Sequence, residues 1–302
     1  MLCSVVISSY NYEKYIIDAI ESILNQSMGE INIIIIDDGS RDKSIEYIKK
    51  EKYSSITLIE KENGGQLSCF NAALPYIQGD YVFFLDADDT YEPRYIEKAI
   101  QFYEKNSFCD FLFCDCYFVD EKGGKLNLQK SKRIFPEKEY YGYTTVVTYF
   151  TQLWIGAATS CISMKTNLLK KILPIPYEQD WITRSDDCLV WGASLKSGYK
   201  CFLKEPLVNY RIHGNNYHYG KNISKDRLYL RDIAINRLFF YLMKEFDTSQ
   251  FIHRLSHEFS LLPEKTSDDL KYYLKALFKT NINNIIKINQ AISILKSYLR
   301  DK

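Results

Sequence analysis

The chain has 302 residues, 46% of them hydrophobic, which allows a large buried core and excludes global disorder. Lys plus Arg number 39 against 38 Asp plus Glu, and a net charge of +1 gives no electrostatic footprint for a nucleic-acid partner. None of the eight cysteines forms a Cys-x-x-Cys pair, so zinc and thioredoxin-like sites have little support and buried thiols in a reducing cytoplasm are expected. In chain order, residues 2–9 (LCSVVISS) are a short apolar run that reads as a strand buried on both faces. Residues 13–26 follow with Tyr15, Ile16, Ala19, Ile20, Ile23 and Leu24 at helical spacing. Residues 31–36 (INIIII) predict a second buried strand, and 42–50 a helix. Residues 56–59 read as strand, 66–77 as helix and 81–85 (YVFFL) as strand, with a helix starting near Pro93 and a strand over 109–118. Beyond a less regular, Tyr-rich stretch over 120–150, strand character returns at 155–164. A helix over 186–197 stops at Gly198, and residues 201–212 are strand-like.

Strand and helix alternating at this spacing predict an α/β fold, a mostly parallel Rossmann-like sheet with helices on both faces. From about residue 224 the texture changes. Glycine disappears, apolar residues recur at helical intervals, and breaks fall at Pro263 and 279–284. The expected organisation is a catalytic domain over 1–223 and a helical appendage over 224–302. The N-terminus lacks a basic segment leading into an apolar core, so no signal peptide is expected. No apolar stretch approaches the roughly 20 residues that span a bilayer. A cytoplasmic protein is expected, with a peripheral place at the inner face of the cell membrane left open by the tail.

In an open parallel sheet, ligands bind outside the carboxyl ends of the strands. Three apolar strands here end in polar groups: Ser8-Ser9-Tyr10-Asn11, Asp37-Asp38-Gly39-Ser40 and Asp86-Ala87-Asp88-Asp89. Three carboxylates in four residues repel one another and need a cation or several donors. At a strand end, Asp86 and Asp88 can turn toward one point, which suits Mg²⁺ or Mn²⁺ shared with substrate phosphates. Ordinary turn and capping chemistry explains either acidic turn taken singly. Their pairing at the ends of two buried strands is what favours a site.

These segments resemble family 2 inverting glycosyltransferases of the GT-A fold. The resemblance runs through SVVISSYNYEKYIIDAIESILNQS, INIIIIDDGSRDKS, NGGQLSCFNAAL and GDYVFFLDADD, then DDCLVWGASLKSGYK and YRIHGNN, in order between residues 4 and 216. It implies a nucleotide-diphosphate sugar donor, a UDP-sugar by default, with Mn²⁺ or Mg²⁺ as cofactor. The nucleobase would pack near Ser9 and Tyr10 and hydrogen-bond Asp38. Gln66 and Asn71 would line the nucleotide pocket, Asp86 with Ala87 would meet the ribose or the metal's water shell, and Asp88 would ligate the metal with His213 adding a contact. Asp187 would be the general base, and Asp186 would bind or orient the acceptor. Two departures stand out: Phe70 precedes Asn71 where many relatives carry Arg, and the acidic pair is Asp-Asp rather than Glu-Asp.

On the acceptor side, Tyr140, Tyr141, Tyr143, Tyr149 and Trp154 precede Gly156-Ala157-Ala158, and Trp154 is the expected stacking face for a glycan, lipid-linked or glycoprotein acceptor. The tail carries 14 Lys and Arg against 9 Asp and Glu. It suits an oligomer interface, a lid support or a membrane-surface patch. Two other classes compete with the transferase: a metal-dependent nucleotidyltransferase or phosphohydrolase, and a non-catalytic nucleotide-sugar-binding subunit of a glycan assembly complex. The first does not account for the acid pair followed by YRIHGNN, and the presence of all the expected acids argues against the second.

Overall fold

The computed structural model describes residues 2–50, 56–128, 137–214, 225–280 and 282–300. Strands β1 (Cys3–Ser9), β2 (Ile31–Asp37), β3 (Ile56–Glu60) and β4 (Tyr81–Asp86) pair in parallel in the order β3-β2-β1-β4. Helices α1 (Ile16–Leu24), α2 (Ser44–Lys50) and α3 (Gln66–Ala73) make the crossovers. Pairing opposes Ser9 to Asp37 and Ser8 to Asp86, so the carboxyl ends of three strands finish level on one edge.

The sheet then continues as a mixed one. After β5 (Thr90–Tyr91), α4 (Tyr95–Lys105) leads to β6 (Phe111–Val119), and β7 (Tyr140–Gly142) precedes α5 (Thr145–Thr151). Strand β8 (Ile162–Lys165) inserts antiparallel between β4 and β6. Helices α6 (Thr166–Ile172) and α7 (Asp186–Leu195) follow, and β9 (Lys200–Arg211) pairs in parallel with β6 and antiparallel with β5 and β7. Parallel ladders hold most of the paired length of the nine-stranded sheet. The segment expected as a strand from 155 instead passes through a tight turn over Thr159–Cys161 before β8. Helix α3 likewise ends early, where Pro75 enters a single tight turn.

Because strand side chains alternate, each strand feeds two cores. Val5, Ile7, Ile33, Ile35, Phe83 and Leu85 pack under α1 and α4. Val6, Ile34, Ile36, Val82 and Phe84 face α3, α5, α6 and α7. That second core runs on without interruption into α8 (Lys225–Met243), α9 (Phe251–Ser260), α10 (Ser267–Phe278) and α11 (Asn284–Arg300) through Leu238, Leu255, Phe259, Tyr273 and Ile294. Two buried polar joints reinforce it. The Glu258 carboxylate accepts from the Val146 and Val147 amides at the start of α5 (2.8 and 3.0 Å) and from the Tyr273 hydroxyl (3.0 Å). Lys138 donates to Asp269 (2.8 Å) and to the Glu264 carbonyl (3.0 Å). The expected boundary at 223–224 lies outside the described residues. All eight cysteines are free thiols and seven are buried. Among the described residues no helix is long and apolar enough to cross a membrane.

Candidate active site

A cavity of about 970 Å³ opens at the carboxyl edge of β1, β2 and β4, where an open α/β sheet places its ligands. Ser8, Ser9, Tyr10, Asp38, Gln66, Asp86, Asp88, Asp186 and His213 all line it. Residues up to 205 positions apart in sequence, from Ser8 to His213, therefore meet in one space, as the strand-end argument requires.

The acidic turn is differentiated by its partners. Asp86 accepts from Gln66 Nε2 (2.6 Å) and from the Ser8 hydroxyl (3.3 Å), both on Oδ1. Burial, and then the charges of Asp88 and Asp186, push its carboxyl well above the usual range. Asp89 is turned inward, where its oxygens take the Ser160 hydroxyl (2.6 Å) and the Arg211 amide (2.8 Å). It clamps the end of β9 to the turn and is structural. Asp88 Oδ2 lies 2.9 Å from His213 Nε2, so a carboxylate and an imidazole from two different strand ends point at one spot. The His213 ring is held at 5.0 Å from Tyr15, with Tyr12 edge-on at 6.2 Å. Burial, followed by the charges of Asp88 and Asp86, raises the Tyr12 phenol, which stays protonated and donates toward Asp88. Among the described residues no three His, Cys, Asp or Glu side chains converge to hold a metal unaided. That donor set fits a hard ion such as Mg²⁺ or Mn²⁺, which takes one or two protein ligands and completes its shell with phosphate and water.

Asp38 has a different occupation from the one expected of a base-edge acceptor. Its carboxylate takes Lys61 Nζ (2.7 Å) and the amides of Gly64 (2.9 Å) and Gly65 (2.8 Å). It shapes the 61–65 loop, which contributes Asn63 and Gly65 to the cavity wall. Gly65 sits at φ +87, and a Cβ there would lie 2.4 Å from the Ile182 Cα, so only glycine allows this loop to meet the segment before α7. Gln66 completes the connection. Its Nε2 donates to Asp86 and its Oε1 accepts the Ser185 amide (3.1 Å), so one amide links the acidic 86–89 turn to the start of α7.

Two acids open α7, and the structure separates them. Asp186 faces the cavity; burial, then the charge of Asp187, pushes its carboxyl up to about 7, with Arg184 and Arg231 pulling it back. Asp187 has no exposed side-chain surface and does not line the cavity. Its oxygens are taken by Arg184 Nε (3.1 Å) and Nη2 (3.2 Å) and by Arg231 Nη2 (3.0 Å) from α8. Asp187, the expected base, is thus closed between two guanidinium groups, and Asp186, the expected orienting residue, is the one that faces the cavity.

Three further expected site residues lie away from the cavity lining. Asn71 lies off the cavity; its amide bonds both backbone groups of Ile175 (2.8 and 3.1 Å) and the Glu178 carboxylate (2.7 Å), bracing the 175–178 loop. Ala87 is fully buried under the turn, and its amide donates to the Ser8 carbonyl (3.3 Å). Trp154 packs half-buried against the core and does not line the cavity. The sequence reading passed over Tyr12, Tyr15, Thr159, Arg184 and Tyr210, all on the cavity wall. Tyr12 and Tyr15 were legible only as positions entering a helix. Arg184, at φ +61, belongs to an irregular loop with no periodic signal.

The description "Glycosyl transferase family 2" matches residues 4–173. An uncharacterised glycosyltransferase of Methanocaldococcus jannaschii is 36% identical over 234 residues, covering 76% of each chain. A putative teichuronic acid biosynthesis glycosyltransferase of Bacillus subtilis, TuaG, is 31% identical over 245 residues, 79% of this chain and 90% of that one. The crystal structure of Staphylococcus aureus TarS 1–349 in complex with UDP-GlcNAc aligns with a TM-score of 0.60 at 18% identity, over 99% of this chain and 92% of that one, a likeness of fold. The architecture is thus that of the GT-A glycosyltransferases, and the extent of the family match together with these relatives shows that the chain belongs to glycosyl transferase family 2.

Proposed function

We propose that this glycosyltransferase moves a sugar from a UDP-sugar to a hydroxyl of a surface-polysaccharide, lipid-linked or glycoprotein acceptor, in one inverting displacement that depends on Mn²⁺ or Mg²⁺. The observation that carries the reading is the presence in one cavity of Asp88, in contact with His213, and of Asp186 at the start of α7. The names of relatives that act in teichuronic acid biosynthesis and of a neighbour crystallised with UDP-GlcNAc support the donor and the acceptor class.

Asp88 and His213 would hold the divalent ion, which when bound neutralises charge on the diphosphate. Tyr10, half-exposed at the mouth, and the Ser9 hydroxyl, buried without a hydrogen-bond partner, would meet the nucleoside. Asp86, protonated through burial and its acidic neighbours, has an O–H to offer a ribose or diphosphate oxygen. Asp186 takes the proton from the acceptor hydroxyl as that oxygen bonds to the anomeric carbon. The bond from that carbon to the diphosphate oxygen breaks on the opposite face, and UDP leaves with the electron pair. Gln66 fixes the separation of the two sides, which decides whether the attack is in line.

Incubating the protein with single nucleotide sugars and Mn²⁺, without acceptor, and assaying free nucleotide tests this. Slow metal-dependent release of UDP is expected, and the sugar that supports it names the donor. Release of sugar 1-phosphate instead, by cleavage of the diphosphate bridge, would show nucleotidyl transfer or phosphohydrolysis, and binding without release would show a non-catalytic subunit.

A further inference from the structure

Helix α11 has two apolar faces. Ala291, Ile294 and Tyr298 turn inward onto the core shared with α9 and α10. Ile285, Ile288, Ile292, Leu295 and Leu299 turn outward and are 40–68% exposed. Their spacing is three and four residues in strict alternation, the a and d positions of two heptads. At 100° per residue these five fall within a sector of about 80°, narrower than the stripe by which a helix packs onto a globular core.

We propose that this seam pairs with α11 of a second copy of the same chain, forming a two-helix coiled-coil contact about a two-fold axis near Ile292. A seam with a 3-4 repeat fits another helix carrying the same repeat, and an identical copy supplies one in register. The exposed surface of the five side chains amounts to about 500 Å² per copy, so pairing buries about 1,000 Å², the lower bound for a specific interface. A lipid surface is the weaker occupant. The exposed basic residues Lys296 and Arg300 lie to one side of the seam, and the stripe is too narrow to seat the helix in a headgroup layer.

Sedimentation velocity of the full chain is expected to show a species of twice the 35.5 kDa mass. The pair Ile288→Glu and Ile292→Glu, at exposed positions, should leave the circular dichroism and melting temperature unchanged and give a monomer. Ile292→Cys should cross-link on mild oxidation, because Ile292 is central and meets its own copy in either helix direction. Seven of the eight native thiols are buried, so background cross-linking is low. A wild-type monomer at high micromolar concentration overturns the proposal. So does a dimer that survives the double substitution and yields no Ile292→Cys cross-link. Flotation of a monomeric wild type with phosphatidylcholine–phosphatidylglycerol vesicles, lost in the double variant, assigns the seam to lipid and overturns it too.

Discussion

Replacing either acid that opens α7 by asparagine removes one charge and almost no volume, yet the two substitutions should fail differently. Asp186→Asn removes the proton acceptor at the cavity and should lower transfer about 10²- to 10⁴-fold with donor affinity retained. In the wild type, a carboxyl pushed up to about 7 is mostly protonated at pH 6 and mostly ionised at pH 8. A base acts in its ionised form, so kcat/KM should rise about tenfold across that interval and then level off. Asp187→Asn leaves Asp186 in place and takes away the neighbouring negative charge that raises it, while Arg184 and Arg231 remain. The rise should therefore move to lower pH with the plateau largely kept. The cost falls on stability instead. Two guanidinium groups lose a buried partner, and because each is about a third exposed and can rehydrate, about 1–3 kcal/mol is expected rather than the full penalty of a broken buried pair. Radiolabelled sugar transfer across pH, with thermal melts of each variant, measures both quantities. If Asp187→Asn abolishes transfer at every pH while Asp186→Asn keeps a third or more of it, the assignment of the base is wrong.

Four other substitutions test the site and its supports. Asp88→Ala should reduce UDP release about 10³-fold, and His213→Ala should raise the Mn²⁺ concentration for half-maximal rate about tenfold; manganese titration followed by electron paramagnetic resonance would show both, and unchanged binding would remove these residues as ligands. Gly65→Ala puts a methyl 2.4 Å from the Ile182 Cα at a φ of +87 and should cost about 2–4 kcal/mol, read as a lowered melting temperature. Glu258→Ala strands two backbone amides at the start of α5 and the Tyr273 hydroxyl, which should cost about 2–4 kcal/mol; a melt like the wild type would show that α9 and α10 are not held to the catalytic region by this carboxylate.

The sequence carries the sheet and the position of the site because both follow from short-range patterns. Unbroken β-branched runs predict buried strands, and the polar residues that end β1, β2 and β4 come level because parallel pairing leaves them no other register. Asp86 and Asp88 are legible together because one turn carries both, whereas His213, 125 residues from Asp88 and beyond β9, is reached only through the family resemblance. The errors have one physical source, partners supplied from far along the chain. Asp38 reads as a free carboxylate until the 61–65 loop folds onto it, and Asn71 reads as a nucleotide contact until Ile175 and Glu178 take up its amide. The acid pair is the sharpest instance. Successive residues on a helix point about 100° apart, so only one of Asp186 and Asp187 can face the cavity, and nothing in the pair says which. Arg231, 44 residues downstream on α8, decides it by taking Asp187 inward. A helix outside the 4–173 family match thereby helps to choose which acid lines the cavity. Variation among related chains in the helices that follow the sheet should consequently alter the pH dependence of transfer as well as the surfaces those helices present.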